Sequence, residues 1–439
     1  MTRRQVAASV RPDSPDSPEV PTGDSRVIAA TADSDGTSPL PRPPAGRTDS
    51  PAVAGLIALL AALGFALARW QTWANGTIGR FILVGSHFAT RAQLPSGVPV
   101  APTYGYDGQF FYRLALNPLN LSKTSYGITM DRPYRYMRIG YPALTWLLSV
   151  GQHFAVPAML VAVNIAAIGA MGYLGGIFAR QSGRHALAGL MLPGYFGLIT
   201  SLSRDTAEPL AAALLLAGLL AVRARRPVLA ALLLAYGALT RETVMVAVAA
   251  IAITRLIGIL RRRQRPGRDD LAWVVPTGIF VAWEVVVKAA TGSIPLLADG
   301  GRNAGTPLIA PLQAFRSNLS HISTHQFDQY YLQYDLWFLE MAIFALFALA
   351  ALASLRSTSA PVHERLAFVL YLIEICVVTP STWRSLDADL RSFIEVYLLA
   401  VIILLGTPLR GLGARLLPWL AGLTLSALIV VTQRRLTIS

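Results

Sequence analysis

Asp107 stands in Tyr106-Asp107-Gly108-Gln109-Phe110-Phe111-Tyr112, inside a charged, aromatic segment that runs from Tyr104 to Tyr141. A carboxylate followed by glycine sits on backbone free to turn sharply toward a ligand. In a partly desolvated cleft its pKa would rise toward neutrality, and it could take a proton as a general base. The competing reading is a helix cap. The same segment carries Arg135 and Arg138, and later come Arg204 with Asp205, Arg241 with Glu242, and Arg384 and Arg391 around Asp387 and Asp389. Guanidinium groups grip phosphate oxygens bidentately. The set therefore pairs a candidate base with candidate anion binders, led by Arg241 and Arg391 because each adjoins an apolar segment. Gln109 and Tyr112 are further candidate substrate contacts beside Asp107. His321 and His325 have helical spacing with Asp328 three residues on. Spacing fixes no third ligand, so the two histidines are read as acceptor contacts or surface residues, and no metal or other cofactor is indicated.

The elements that must position these residues lie in a membrane. The 439 residues are 54% hydrophobic and only 14% charged, with a mean hydropathy of +0.49, too few charges to cover a soluble fold of this size. A formal net charge of +14 would raise the question of nucleic acid in a soluble chain. Here the arginines fall in short connectors between apolar runs, which is the positive-inside pattern of a multi-pass protein, so no nucleic-acid partner is expected. The single cysteine, Cys376, allows no intrachain disulfide.

Residues 1–50 are rich in Pro, Ser, Asp, Thr and Gly and carry no apolar run, which predicts a disordered cytoplasmic tail. Residues 51–432 predict an all-α, polytopic transmembrane domain of about eleven helices, followed by a short extracytoplasmic tail over 433–439. The spans fall near 51–70, 155–179, 186–203, 205–222, 227–241, 243–260, 271–290, 336–355, 366–382, 392–408 and 416–432. A long first extracytoplasmic loop covers 71–154, with an interfacial helix over Tyr141 to Gly151 and Phe110, Phe111 and Tyr112 seating another. A second long loop covers 292–335. Basic connectors at every second position place the amino terminus inside, in a cytoplasmic membrane. One consequence was not built into that assignment: the Asp107 loop, Arg204-Asp205, Arg241-Glu242 and Arg384 to Arg391 all fall on the outer side.

Taken together, Tyr106-Asp107-Gly108, the string Asp131-Arg-Pro-Tyr-Arg-Tyr-Met-Arg-Ile-Gly-Tyr-Pro142, Ser203-Arg-Asp-Thr-Ala-Glu-Pro209, Leu239-Thr-Arg-Glu-Thr243 and Asp389-Leu-Arg391 resemble the GT-C superfamily of integral membrane glycosyltransferases, in its mannosyltransferase-like branch. The likeness covers roughly residues 51–410 as topology plus short motifs. It implies a polyprenyl-phosphate sugar as donor, a lipid or glycan acceptor, and an inverting single displacement with Asp107 as base. The chain departs from the best-known members in having one Asp at the first-loop position instead of paired acids, and in lacking a large soluble carboxyl-terminal domain. A different class, a transporter or flippase of lipid-linked envelope intermediates, would also use a basic cavity open to the outer leaflet. The two halves show none of the internal repeats common in such transporters. A noncatalytic assembly factor would leave the Asp107 loop without a task.

Overall fold

The computed structural model describes residues 49–298, 305–324, 332–379, 382–383 and 391–437, all within one compact unit. Most of the expected tail, residues 1–48, lies outside them. So do 299–304 and 325–331 of the second long loop. The chain is mostly helical, 71% helix and 3% strand. In order the helices are α1 (Pro51–Thr72), α2 (Gly108–Leu116), α3 (Gly140–Leu148), α4 (Val156–Gln181), α5 (Phe196–Leu202), α6 (Glu208–Arg223), α7 (Pro227–Thr240), α8 (Val244–Leu260), α9 (Leu271–Thr291), α10 (Pro295–Ala298), α11 (Ile309–Thr324), α12 (Leu332–Ser354), α13 (Val362–Val377), α14 (Ile394–Leu405) and α15 (Leu412–Thr437). Among the described residues, five helices are long and apolar enough to cross a membrane: Pro51–Thr72, Val156–Gln181, Arg268–Thr291, Tyr334–Ser354 and Arg415–Leu436.

The differences from the expected spans have local causes. The stretch 186–203 is not one helix: Pro193 and Gly194 follow a 3-10 turn at Ala186–Met191, and α5 starts afresh at Phe196. Helix α14 has only 12 residues, about 18 Å at 1.5 Å per residue, well short of a hydrocarbon core. All of its residues are buried, so it belongs to the interior. At the carboxyl end α15 continues to Thr437, and the expected tail over 433–439 is helix as far as it is described.

Helix α1 begins where the Ser50 hydroxyl accepts from the Ala52 amide and Pro51 fills the first turn. It packs on α4 through small residues. A Cβ added to Gly172 would lie 2.6 Å from the Ala58 Cβ and 2.7 Å from the Ala54 carbonyl oxygen, so glycine is what lets the two backbones approach. At their far ends the first and last helices meet: Thr72 donates to the Leu436 carbonyl at 3.0 Å, and Arg69 donates to that of Arg435. The two helices therefore run in the same direction.

The first loop is folded and carries its own helices, α2 and α3. Strand β1 (Val84–Gly85) pairs in parallel with β2 (Val100–Ala101), and β3 (Thr124–Ser125) pairs antiparallel with β4 (Ile128–Thr129). Phe110, Phe111 and Tyr112 on α2 are buried in the core and do not seat a helix in the interface. The α3 segment does present an apolar surface, with Trp146, Leu147, Leu148, Val150 and Phe154 exposed. Asn164 in α4 ties this loop to the bundle, donating to the Tyr141 hydroxyl at 3.0 Å and the Thr206 carbonyl at 3.1 Å.

Candidate functional site

Asp107 is the residue before α2, and its side chain caps nothing. It points instead at two arginines, with Oδ1 2.7 Å from Arg135 Nη1 and Oδ2 3.1 Å from Arg391 Nη2. The following glycine serves space more than turning: Asp107 itself has ordinary helical dihedrals, and a Cβ at Gly108 would lie 2.4 Å from the Arg204 carbonyl oxygen. Gly108 lets the start of α2 press against the turn between α5 and α6.

Around this pair lies a cavity of about 580 Å³. Among the described residues five guanidinium groups line it, from Arg132, Arg135, Arg138, Arg241 and Arg391, with four carboxylates, from Asp107, Glu208, Glu242 and Glu374. The charges are interlocked. Arg391 reaches Glu208 at 3.1 Å with its other amino group. Arg135 also holds Asp131 at 3.0 Å. Arg138 makes a fork on Glu242, 2.8 Å from Nε and 2.5 Å from Nη2, and Tyr134 donates to the same carboxylate. Arg241 pairs with Glu395 at 2.7 Å. Of the four cavity carboxylates, Glu374 is the one that no hydrogen bond or ion pair holds.

These contacts decide the protonation of Asp107. Burial pushes its carboxyl up, but Arg135, Arg391 and Arg138 outweigh burial and hold it well below the usual carboxylate range. The expected rise toward neutrality is not found in this arrangement. Glu242 follows the same pattern: burial raises it, and Arg138 with Tyr134 brings it down to about 2.

The other expected site residues divide. Arg135, Arg138, Arg241, Glu242 and Arg391 share the cavity wall with Asp107. Arg204 and Asp205 lie behind it. Tyr106 is sandwiched there, its ring centre 4.2 Å from the Arg204 guanidinium carbon and 4.7 Å from that of Arg391. Asp205 is fully buried in a left-handed backbone conformation, φ +49°, with neither carboxylate oxygen accepting a hydrogen bond. Gln109 is a structural clamp, accepting from the Gly85 amide at 3.1 Å and donating to the Tyr104 carbonyl at 3.0 Å. Tyr112 is core. His321 stacks on Tyr334 with its Nδ1 2.6 Å from the Ser317 carbonyl, away from the cavity wall. His325 and Arg384 lie outside the described residues. No group of three or more His, Cys, Asp or Glu suited to a metal occurs among the described residues.

Sequence reasoning missed Arg132, Tyr134 and Glu208 as wall residues. Glu208 stands in the quoted Ser203 to Pro209 string, three positions after Asp205, and it is the one of the two that meets Arg391. Glu374, a carboxylate in an apolar segment, is readable from sequence as either a cavity liner or an interhelical hydrogen-bond partner, and it lines the cavity.

A second cavity, about 860 Å³, is an almost wholly apolar groove between α1, α5 and α15. It runs past Phe65 and Leu198 to Ala68 and Leu436, one residue from the buried Arg69 and Arg435. Comparison with protein-family models and with curated proteins returns no match for this chain. The chain is a helical protein with, among the described residues, five helices long and apolar enough to cross a membrane and a cavity lined by arginines and carboxylates.

Proposed function

We propose that this chain is a multi-pass glycosyltransferase of the cytoplasmic membrane, GT-C-like with about eleven crossings counting its short helices, its amino terminus inside. It moves a sugar from a polyprenyl-phosphate donor to a lipid or glycan acceptor on the outer face. The observation that carries this reading is the seating of Asp107 between Arg135 and Arg391, in a cavity walled by three more arginines. A separate apolar groove of about 860 Å³ beside α1 and α15 offers a surface suited to a lipid tail.

The chemistry begins with exchange of partners. The donor phosphodiester competes with Asp107 for Arg391 and Arg135, presenting two charge-sharing oxygens to the same guanidinium forks and gaining a second charge as its bond to the sugar breaks. Once released, the Asp107 carboxylate loses the positive neighbours that hold its pKa down, and burial then raises it toward the range of a working base. The acceptor hydroxyl oxygen attacks the anomeric carbon, its proton passes to Asp107, and the bond from that carbon to the phosphate oxygen breaks. The polyprenyl phosphate leaves with its new charge held by the arginines.

The competing reading is a transporter or flippase of lipid-linked intermediates. One observation favours it: a carboxylate clamped by two guanidinium groups is a poor base until something displaces them. Asp107→Asn separates the two in proteoliposomes supplied with polyprenyl-phosphate sugars. Transfer should fall by about 10²- to 10⁴-fold, with donor binding unchanged or tighter because Arg135 and Arg391 lose their carboxylate competitor. Unchanged transfer would remove Asp107 from the chemistry. Movement of the donor across the bilayer without transfer to any acceptor would establish the transporter.

A further inference from the structure

The helices that hold the arginine-carboxylate cavity have a second polar pocket at their opposite ends. Helix α7 ends at Thr240 beside Arg241 and α8 starts beside Thr243, both at the first cavity. The start of α7, at Arg226 and Pro227, and Thr254 and Arg255 near the end of α8 line a separate pocket of about 420 Å³. Arg225, Arg226, Arg255 and Arg265 contribute to its wall, against one carboxylate, Asp269. Arg255 is already matched, 3.0 Å from Asp270 and 3.5 Å from Asp269. No carboxylate among the described residues pairs with Arg225, Arg226 or Arg265. The amino terminus of α7 opens at the same place with no side-chain cap, and its dipole adds to the positive potential.

Three exposed guanidinium groups without a carboxylate partner among the described residues, set around a concave space, suit an anion with several oxygens. The surroundings say what it is attached to. Val228, Leu256 and Val362, sequence neighbours of the lining residues Pro227, Arg255 and His363, are all exposed. A polar hollow with exposed apolar side chains next in sequence to its lining, at the ends of apolar helices, suits a molecule with a charged head and acyl chains. We propose that this pocket binds the phosphate headgroup of an anionic phospholipid, on the side expected to face the cytoplasm, where such lipids attract basic residues. The proposal stands apart from the sugar-transfer reading. Through α7 and α8 the site joins lipid composition to the helices that carry Arg241 and Glu242.

The test is native mass spectrometry of the full-length protein in detergent, titrated with phosphatidylglycerol or phosphatidylcholine. Arg226→Ala/Arg265→Ala removes two pocket charges, while Arg261→Ala/Arg263→Ala removes the same charge from the exposed loop beside it. The first double variant should weaken phosphatidylglycerol binding about tenfold and the second by less than about twofold, with phosphatidylcholine unaffected. Arg226→Lys/Arg265→Lys, which keeps the charge, should retain most of the affinity, separating loss of binding from loss of fold. Equal losses in the two alanine variants would mean diffuse surface attraction and overturn the proposal. So would displacement of the lipid by inorganic phosphate at equal concentration, which would make the ligand a soluble anion.

Discussion

The residue scale is dominated by how tightly the cavity charges are tied. Asp107 and Glu242 both have folded pKa values below the unfolded ones of about 3.9 and 4.3. Their ion pairs therefore stabilise the fold fully above those unfolded values, and the contribution is lost as pH falls through the folded ones. Thermal unfolding of the detergent-solubilised protein should be flat from about pH 5 to pH 8 as far as these groups are concerned, and should decline below about pH 4. In Glu242→Gln the acid decline should shrink. An unchanged decline would show that these pairs do not carry it. The Arg241–Glu395 pair is buried on both sides, so Glu395→Leu alone should destabilise by about 3 kcal/mol, leaving a buried charge unmatched. The double change Arg241→Leu/Glu395→Leu should recover most of that loss in stability while losing function, since Arg241 lines the cavity. Much of this cluster was legible in the sequence, because arginine-carboxylate pairs next to apolar runs need partners. The assignment of Asp205 over Glu208 was not. It depended on the left-handed turn at Asp205, which buries that carboxylate while Glu208, opening α6, reaches Arg391.

At the scale of elements, the alternation of apolar runs and basic connectors located most helices to within a few residues, as the period and the prolines at α4, α6 and α7 require. Where it failed, at 186–203, total hydrophobicity masked Pro193 and Gly194. Interior burial also let α14 stay at 12 residues, because a helix surrounded by protein need not match the bilayer. The α1–α4 contact gives the sharpest element-scale prediction. Gly172→Val would force its side chain against Ala54 and Ala58, and should cost about 1–3 kcal/mol in unfolding measurements. Gly64→Ala, with open space around the site, should change stability little. Helix propensity favours both replacements over glycine, so a loss confined to Gly172→Val isolates the interhelical contact, and comparable losses in both would overturn that assignment. Asn164→Leu should act differently, loosening α3 and the turn before α6 together because one side chain bonds both.

On the scale of the whole molecule, the meeting of Thr72 with Leu436 makes the first and last helices parallel. The proposed topology, amino terminus inside, then requires the carboxyl terminus to emerge outside. A tag before Met1 should resist protease added to intact spheroplasts, and a tag after Ser439 should be digested; digestion of both, or of neither, would overturn the topology. Composition by itself determined that the chain is rich in apolar helices of a kind compatible with a membrane protein, because so low a charged fraction covers little of a fold of this size. Its connectors also predict one side for the charged strings, several of which meet in one cavity. Only the tertiary structure decided which of those charges face one another, that Gln109 and Tyr112 support the wall from behind, and that Asp107 is held as an anion between two arginines. Periodicity is a property of one helix and its neighbours in sequence. An ion pair 284 residues apart, such as Asp107 with Arg391, is fixed by how separate helices stack, and the sum of those contacts sets the field that a carboxylate feels.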